Sequence, residues 1–140
     1  MYDAILFATD GSDAAGRALD HAIAAADAHG ATLSVLSVAD ERIALAADDT
    51  AATRDELRER AQEAVDEAAD TASGAGVHVE TVVRDGVPFR EILAYATEAD
   101  VDLVVVGTHG LEGREKRVNM GSTAERVVNQ AELPVLVVRG

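Results

Sequence analysis

Leu103-Val104-Val105-Val106-Gly107-Thr108-His109-Gly110, followed ten residues later by Gly121-Ser122, is the stretch from which the rest of this 140-residue chain can be read. Four apolar residues, three of them β-branched, are too few for a helix and suit a strand covered on both faces. The run stops at glycine, and another glycine precedes Ser122, where a helix is expected to open. Glycines at these places remove the side chains that would keep an anion away from backbone N–H groups and a helix N-terminus. The same pattern supports a plainer reading, because Ser122-Thr123-Ala124-Glu125 is also a capping box that needs no ligand. Gly121 favours the anion, since a cap does not require a glycine before it and close approach of phosphate does.

Upstream, Asp3 to Ala8 is a second short apolar run, ending at Thr9-Asp10-Gly11-Ser12, where Ser12 is placed to cap the next helix. Leu19, Ile23 and Ala26 recur at helical spacing, Gly30 stops that helix, and Leu33 to Val38 form another strand, completing a βαβ unit. Asp40 to Ala52 has no clean period and reads as an irregular connection or a loosely helical entry. Thr53 and Glu56 then make a capping-box signature, and Leu57, Ala61, Ala64 and Ala68 trace the buried face of a long helix that ends at Ser73-Gly74-Ala75-Gly76.

Val77 to Arg84 alternates apolar and polar residues, as expected of a strand at a rim of the sheet. Gly86 turns the chain, Pro88 suits the first helical position, and Phe89, Ile92, Leu93 and Ala96 form an apolar stripe. Beyond Ser122, Val127, Val128 and Ala131 are expected to face inward; Leu133-Pro134 ends that helix and Val135 to Val138 form the last strand. The order βαβαβαβαβ specifies a single α/β domain over residues 1–140: a doubly wound, five-stranded parallel sheet with helices on both faces, Rossmann-like. Strand order 3-2-1-4-5 would bring the ends of the first and fourth strands together at a switch point. There an acid able to bond ribose hydroxyls or a metal, Asp10, would face glycine backbone able to bond phosphate.

Composition narrows the partners. Twelve basic against 26 acidic residues leave a formal charge of −14, a field that repels nucleic acid and anionic membranes. Much acid, little lysine and few aromatics suggest a salt-loaded cytoplasm. No apolar segment approaches the roughly 20 residues of a membrane span, the start lacks a leader pattern, and no cysteine is present. A soluble, cytoplasmic protein is expected. The sole lysine, Lys116, lies with Arg114 and Arg117 between the last two glycines of the pattern, making these three candidate phosphate contacts. His21, His29 and His78 lack metal-ligand spacing with one another and with His109, so no metal held by protein side chains is expected. No Gly-Lys-Ser/Thr, Gly-x-Gly-x-x-Gly or Gly-x-Ser-x-Gly motif occurs.

These residues resemble the universal stress protein family, whose nucleotide pattern is Gly, two residues, Gly, nine residues, Gly-Ser/Thr. The resemblance extends to Thr9-Asp10-Gly11-Ser12, to Val38-Ala39-Asp40, to Thr123-Ala124-Glu125-Arg126-Val127 and to the terminal Pro134-Val135-Leu136-Val137-Val138, so it spans nearly the whole chain. It implies that Asp10 holds a ribose with Thr9 beside it, that the Val38 backbone holds adenine, that Gly107, His109 and Gly110 line the nucleotide, and that Gly121, Ser122 and Thr123 bind phosphates. The cofactor it implies is ATP or AMP, with Mg2+ left open. The spacer here has ten residues instead of nine.

Two functions therefore stand side by side. One is a stress-response sensor or signalling module that binds adenine nucleotide and is at most a slow ATPase. The other is a dimeric interaction protein of the same fold whose altered loop no longer binds nucleotide. The family also implies a homodimer through Val135, Leu136, Val137 and Val138, an edge strand that carries no charge to block pairing.

Overall fold

The computed structural model describes residues 1–108 and 122–139. Its elements in chain order are β1 (Ala4–Ala8), α1 (Asp13–His29), β2 (Thr32–Asp40), α2 (Glu41–Ala46), α3 (Thr50–Gly74), β3 (Val79–Gly86), α4 (Pro88–Glu98), β4 (Leu103–Gly107), α5 (Ser122–Gln130) and β5 (Val135–Val138). The five strands form one sheet in the order β3-β2-β1-β4-β5, every neighbouring pair parallel. This is the expected topology.

Burial explains the order. Ile5, Leu6 and Phe7 of β1 and Val104 and Val105 of β4 are 0–1% exposed, as central strands covered on both faces must be. The alternating β3 takes one rim and β5 the other. One face of β1 packs Ile5 and Phe7 with Ala18, Leu19 and Ala22 of α1 and Val65, Ala68 and Ala72 of α3. The opposite face packs Leu6 and Leu36 with Phe89, Ile92 and Ala96 of α4 and Ala124 and Val127 of α5. Each large side chain fully buried in this way contributes about 1.5–3 kcal/mol.

Several local details differ from the sequence reading. Between Asp40 and Ala52 the chain forms the short helix α2, capped by Asp40, whose side chain accepts from Arg42 N–H. The long helix α3 is capped by Asp49 and not by Thr53: the Asp49 carboxylate accepts from Ala52 N–H, and Thr53 N–H already bonds the Asp49 carbonyl. A carboxylate one turn earlier took the capping role. The buried face of α3 runs through Ala61, Val65, Ala68 and Ala72, and Leu57 and Ala64 lie half-buried at its margin. Strand β3 starts at Val79, since Val77 N–H bonds the Ala72 carbonyl and closes the end of α3. Val128, expected inward, is 38% exposed, one residue around α5 from the fully buried Val127.

Asp102 joins β1 to β4 ahead of their paired segments. Its carboxylate accepts from Asp3 N–H at 2.8 Å and Ala4 N–H at 3.0 Å, and these bonds hold its pKa below the ordinary carboxylate range. Asp85 and Glu98 are lowered too, first by hydrogen bonds from Arg58 and Arg84 respectively. A carboxylate whose folded pKa is depressed stabilises the fold above its unfolded pKa, near 4, and loses that contribution as pH falls through the folded value. Thermal unfolding at molar salt, where net-charge repulsion is screened, should therefore show stability falling below about pH 4. Asp102→Asn should make the decline shallower without abolishing it; an identical pH profile would refute the role of this carboxylate.

Candidate functional site

The site is built from three strand ends. At the tip of β1, Thr9 N–H bonds the Leu36 carbonyl at 2.9 Å, keeping the chain against β2 for one residue beyond the strand. The turn that follows is closed by its own side chains: Thr9 Oγ1 accepts from Gly11 N–H at 3.0 Å, and Asp10 Oδ1 accepts from Ser12 N–H at 2.9 Å. Gly11, at φ +81°, supplies a left-handed conformation that other residues adopt at a cost. Ser12 then caps α1 by accepting from Ala15 N–H at 3.2 Å, as its sequence position suggested. Asp10 is exposed, and its Oδ2 is bonded to no described residue.

Gly107 ends β4 beside this turn. Phe7 pairs with Val105, and two residues further along both strands are Thr9 and Gly107. A Cβ on Gly107 would lie 2.9 Å from the Ala14 carbonyl oxygen and 3.3 Å from Ala15 N. The first turn of α1 thus crosses directly over Gly107, and helix packing by itself accounts for glycine there. The ends of β1 and β4 are adjacent, as the switch-point argument required.

The third wall comes from the end of β2. Val38 is half-buried and pairs with Arg84 of β3; two residues on, Asp40 caps α2. An open cleft of about 610 Å3 lies between α2 and the start of α5, lined by Asp40, Arg42, Ile43, Ala46, Ala47 and Ser122. Arg42 is clamped by Asp40 through Nε at 3.0 Å and Nη2 at 2.8 Å. Partial burial pushes the Asp40 pKa up, but the bonds from Arg42 outweigh it and leave the carboxyl lowered. Glu41 is paired with Arg54, which ties α2 to α3.

Among the residues singled out in the sequence, Thr9, Asp10 and Gly107 come together at the β1–β4 tips, Val38 stands on the neighbouring strand, and Ser122 faces α2 across the cleft. Thr123 is half-buried in the first turn of α5. His109, Gly110, Arg114, Lys116, Arg117 and Gly121 lie outside the described residues. The α2 wall was missed by the sequence reading. Its signal was Asp40 followed by Ile43 and Leu45, two large apolar residues in a stretch otherwise made of acids, alanines and Arg42. Ile43 is 45% exposed and faces the cleft. No group of three or more metal-ligating side chains occurs among the described residues, and no described helix is long and apolar enough to cross a membrane.

A parallel doubly wound sheet with helices on both faces and strand order β3-β2-β1-β4-β5 places the chain in the Rossmann-like class of α/β proteins, a class in which ligands are held beyond the carboxyl edge at the strand-order switch point. The chain belongs to the universal stress protein family, whose model matches residues 1–139. It is 34% identical to universal stress protein YxiE of Bacillus subtilis, over 99% of this chain and all of that one. The solved structure of MJ0577, a universal stress protein of Methanocaldococcus jannaschii, superposes with a TM-score of 0.90 at 30% identity, covering 100% of this chain and 97% of that one. A universal stress protein solved in complex with cAMP superposes at TM-score 0.72 and 27% identity, covering 99% and 97% of the two chains.

Proposed function

We propose that this protein is an adenine-nucleotide-binding stress-response module of the cytosol, acting as a sensor or signalling component. The observation that carries the reading is the cleft at the carboxyl edge of the sheet, bounded by Asp40, Ile43 and Ser122 and flanked by the joined tips of β1 and β4. The related protein bound to cAMP supports an adenine nucleotide as the ligand. In this reading Asp10 and Thr9 hold the ribose, the Val38 backbone meets the adenine, and Ser122 and Thr123 take phosphate at the positive end of α5. Gly121 and the basic residues Arg114, Lys116 and Arg117 complete the phosphate side. Three or four charge-assisted hydrogen bonds, at about 1.5–3 kcal/mol each, suffice for micromolar affinity after ordering costs. ATP and AMP are the proposed ligands, with Mg2+ as a companion of the triphosphate.

The ten-residue spacer between Gly110 and Gly121 favours a second reading, an interaction protein of the same fold that binds no nucleotide. Calorimetry with ATP, ADP and AMP, each with and without Mg2+, separates the two. The first reading expects one site per chain, with affinity that holds or strengthens from low to molar salt, where the Debye length is about 3 Å and repulsion by the acidic surface is screened. Absence of heat with every nucleotide supports the second reading. Gly121→Val tests the phosphate side separately, since unchanged affinity would remove that assignment.

In both readings we propose a homodimer through β5. Val135–Val138 forms the sheet edge opposite β3, with Leu136 37% exposed and no charged side chain along it. Pairing with a second copy would cover that edge. Sedimentation at micromolar concentration should show a dimer; a folded monomer would refute the interface.

A further inference from the structure

Arg90 of α4 and Arg126 of α5 meet on one aromatic ring. The guanidinium carbon of Arg126 lies 4.9 Å from the centroid of Phe89, and that of Arg90 lies 5.5 Å from it. Phe89 itself is buried in the core beneath α4 and α5, whereas both arginines are exposed. One cation on a ring needs no further account, since attraction to the π face is worth about 0.5–1 kcal/mol at an exposed site. Two on the same ring repel each other, and neither has an ion pair among the described residues to offset this.

Arg90 also stands at the wrong end of its helix. It is the third residue of α4, which opens at Pro88 behind Val87, a cap that makes no side-chain hydrogen bond. The partial positive charge of a helix N-terminus favours an acid there and disfavours a cation. The acid that this turn does contain, Glu91, faces Arg84 at 3.6 Å. A helix start and two arginines are thus gathered in a chain of net charge −14, with only 12 basic residues to place. The fold gains nothing from that arrangement, and a local rule broken without structural benefit points to function. An anion between the guanidiniums turns each penalty into an attraction. We propose that Arg90 and Arg126 bind a phosphate-type dianion, with Phe89 seating both side chains. Two planar forks suit phosphate oxygens, and two cations match two charges. Arg126 follows Ser122 by one turn on the same face of α5, about 6 Å along the helix, and Ser122 lines the cleft. The dianion is therefore either free phosphate or the distal phosphate of a nucleotide in the cleft, and only the second source rests on the nucleotide reading.

The site is tested first without nucleotide. The full chain, at ionic strength held constant with KCl, is titrated with pyrophosphate, inorganic phosphate and acetate, followed by amide and arginine Nε–H chemical shifts. Saturable shifts are expected at Phe89, Arg90 and Arg126, with pyrophosphate at least about tenfold tighter than acetate, the worth of one charge-assisted hydrogen bond. Arg90→Gln combined with Arg126→Gln should erase that margin. Arg60→Gln, which removes an exposed cation from α3 on the opposite face of the sheet, should keep it. Thermal unfolding separates binding from a purely structural role: without phosphate Arg90→Gln should not lower the midpoint, and pyrophosphate should raise the midpoint of the parent but not of the double variant. Displacement of pyrophosphate by ATP would identify the nucleotide tail as the source, and simultaneous binding a free anion. No response to ATP beside intact pyrophosphate binding would refute the nucleotide reading and uphold this site. Equal affinity for acetate and pyrophosphate, a margin that survives the double substitution, or an Arg90→Gln midpoint below that of the parent would overturn the proposal.

Discussion

Gly107→Ala should lower stability by about 1–3 kcal/mol, the range for forcing an extra methyl into a packed site, whereas Gly16→Ala should raise it by about 0.5–1 kcal/mol. The two substitutions add the same atom and differ only in what it meets. At Gly107 the new Cβ stands 2.9 Å from the Ala14 carbonyl oxygen and 3.0 Å from its carbon, both backbone atoms that no rotamer change can move. Relief requires α1 to slide, yet α1 is held by the Ser12 cap and by the buried Ala14, Ala15 and Ala18. At Gly16, within the same helix, the methyl enters open space and removes the backbone entropy that glycine costs. Gly107→Val should be worse still. Thermal or denaturant unfolding of the three variants checks this; equal midpoints for Gly107→Ala and the parent would show that α1 does not bear on the end of β4.

Asp10→Asn should leave the unfolding midpoint unchanged and weaken nucleotide binding by about tenfold or more, the worth of a hydrogen bond to a charged group. Asp10 makes two separable contributions. Its Oδ1 accepts from Ser12 N–H and so closes the turn, a role the carbonyl oxygen of asparagine fills equally well. The other oxygen and the negative charge face outward, where the ribose hydroxyls are proposed to donate, and those asparagine does not reproduce. Asp10→Ala removes both contributions and should lose stability as well. Calorimetry beside thermal unfolding reads the two effects independently. Full affinity in Asp10→Asn would mean that the ribose is held elsewhere.

Much of the fold was legible in the sequence because strand burial is written in periodicity. The continuous apolar runs Ile5-Leu6-Phe7 and Val104-Val105-Val106 demand cover on both faces, and the half-polar Val79 to Arg84 does not, which orders centre and rim. Helix ends were legible where one residue had one possible role, as with Ser12 and Gly30. They were misread where two caps competed. Asp49 and Thr53 are both good caps, and the structure uses the earlier one.

The candidate site divides along the same line. Local chemistry pointed to Thr9, Asp10, Gly11 and Ser12, because their hydrogen bonds close within three residues. The sequence by itself determined the class of the protein: the parallel sheet, its order, and the two strand ends that carry unusual residues. Only the tertiary structure decided that Gly107 is glycine for the sake of α1, that α2 forms a wall of the cleft opposite Ser122, and that Arg90 and Arg126 meet on Phe89. Periodicity and capping are properties of neighbours along the chain. Which backbone crosses a distant glycine, and which arginines of two helices share a ring, depends on how the elements pack in three dimensions, and no local pattern encodes that.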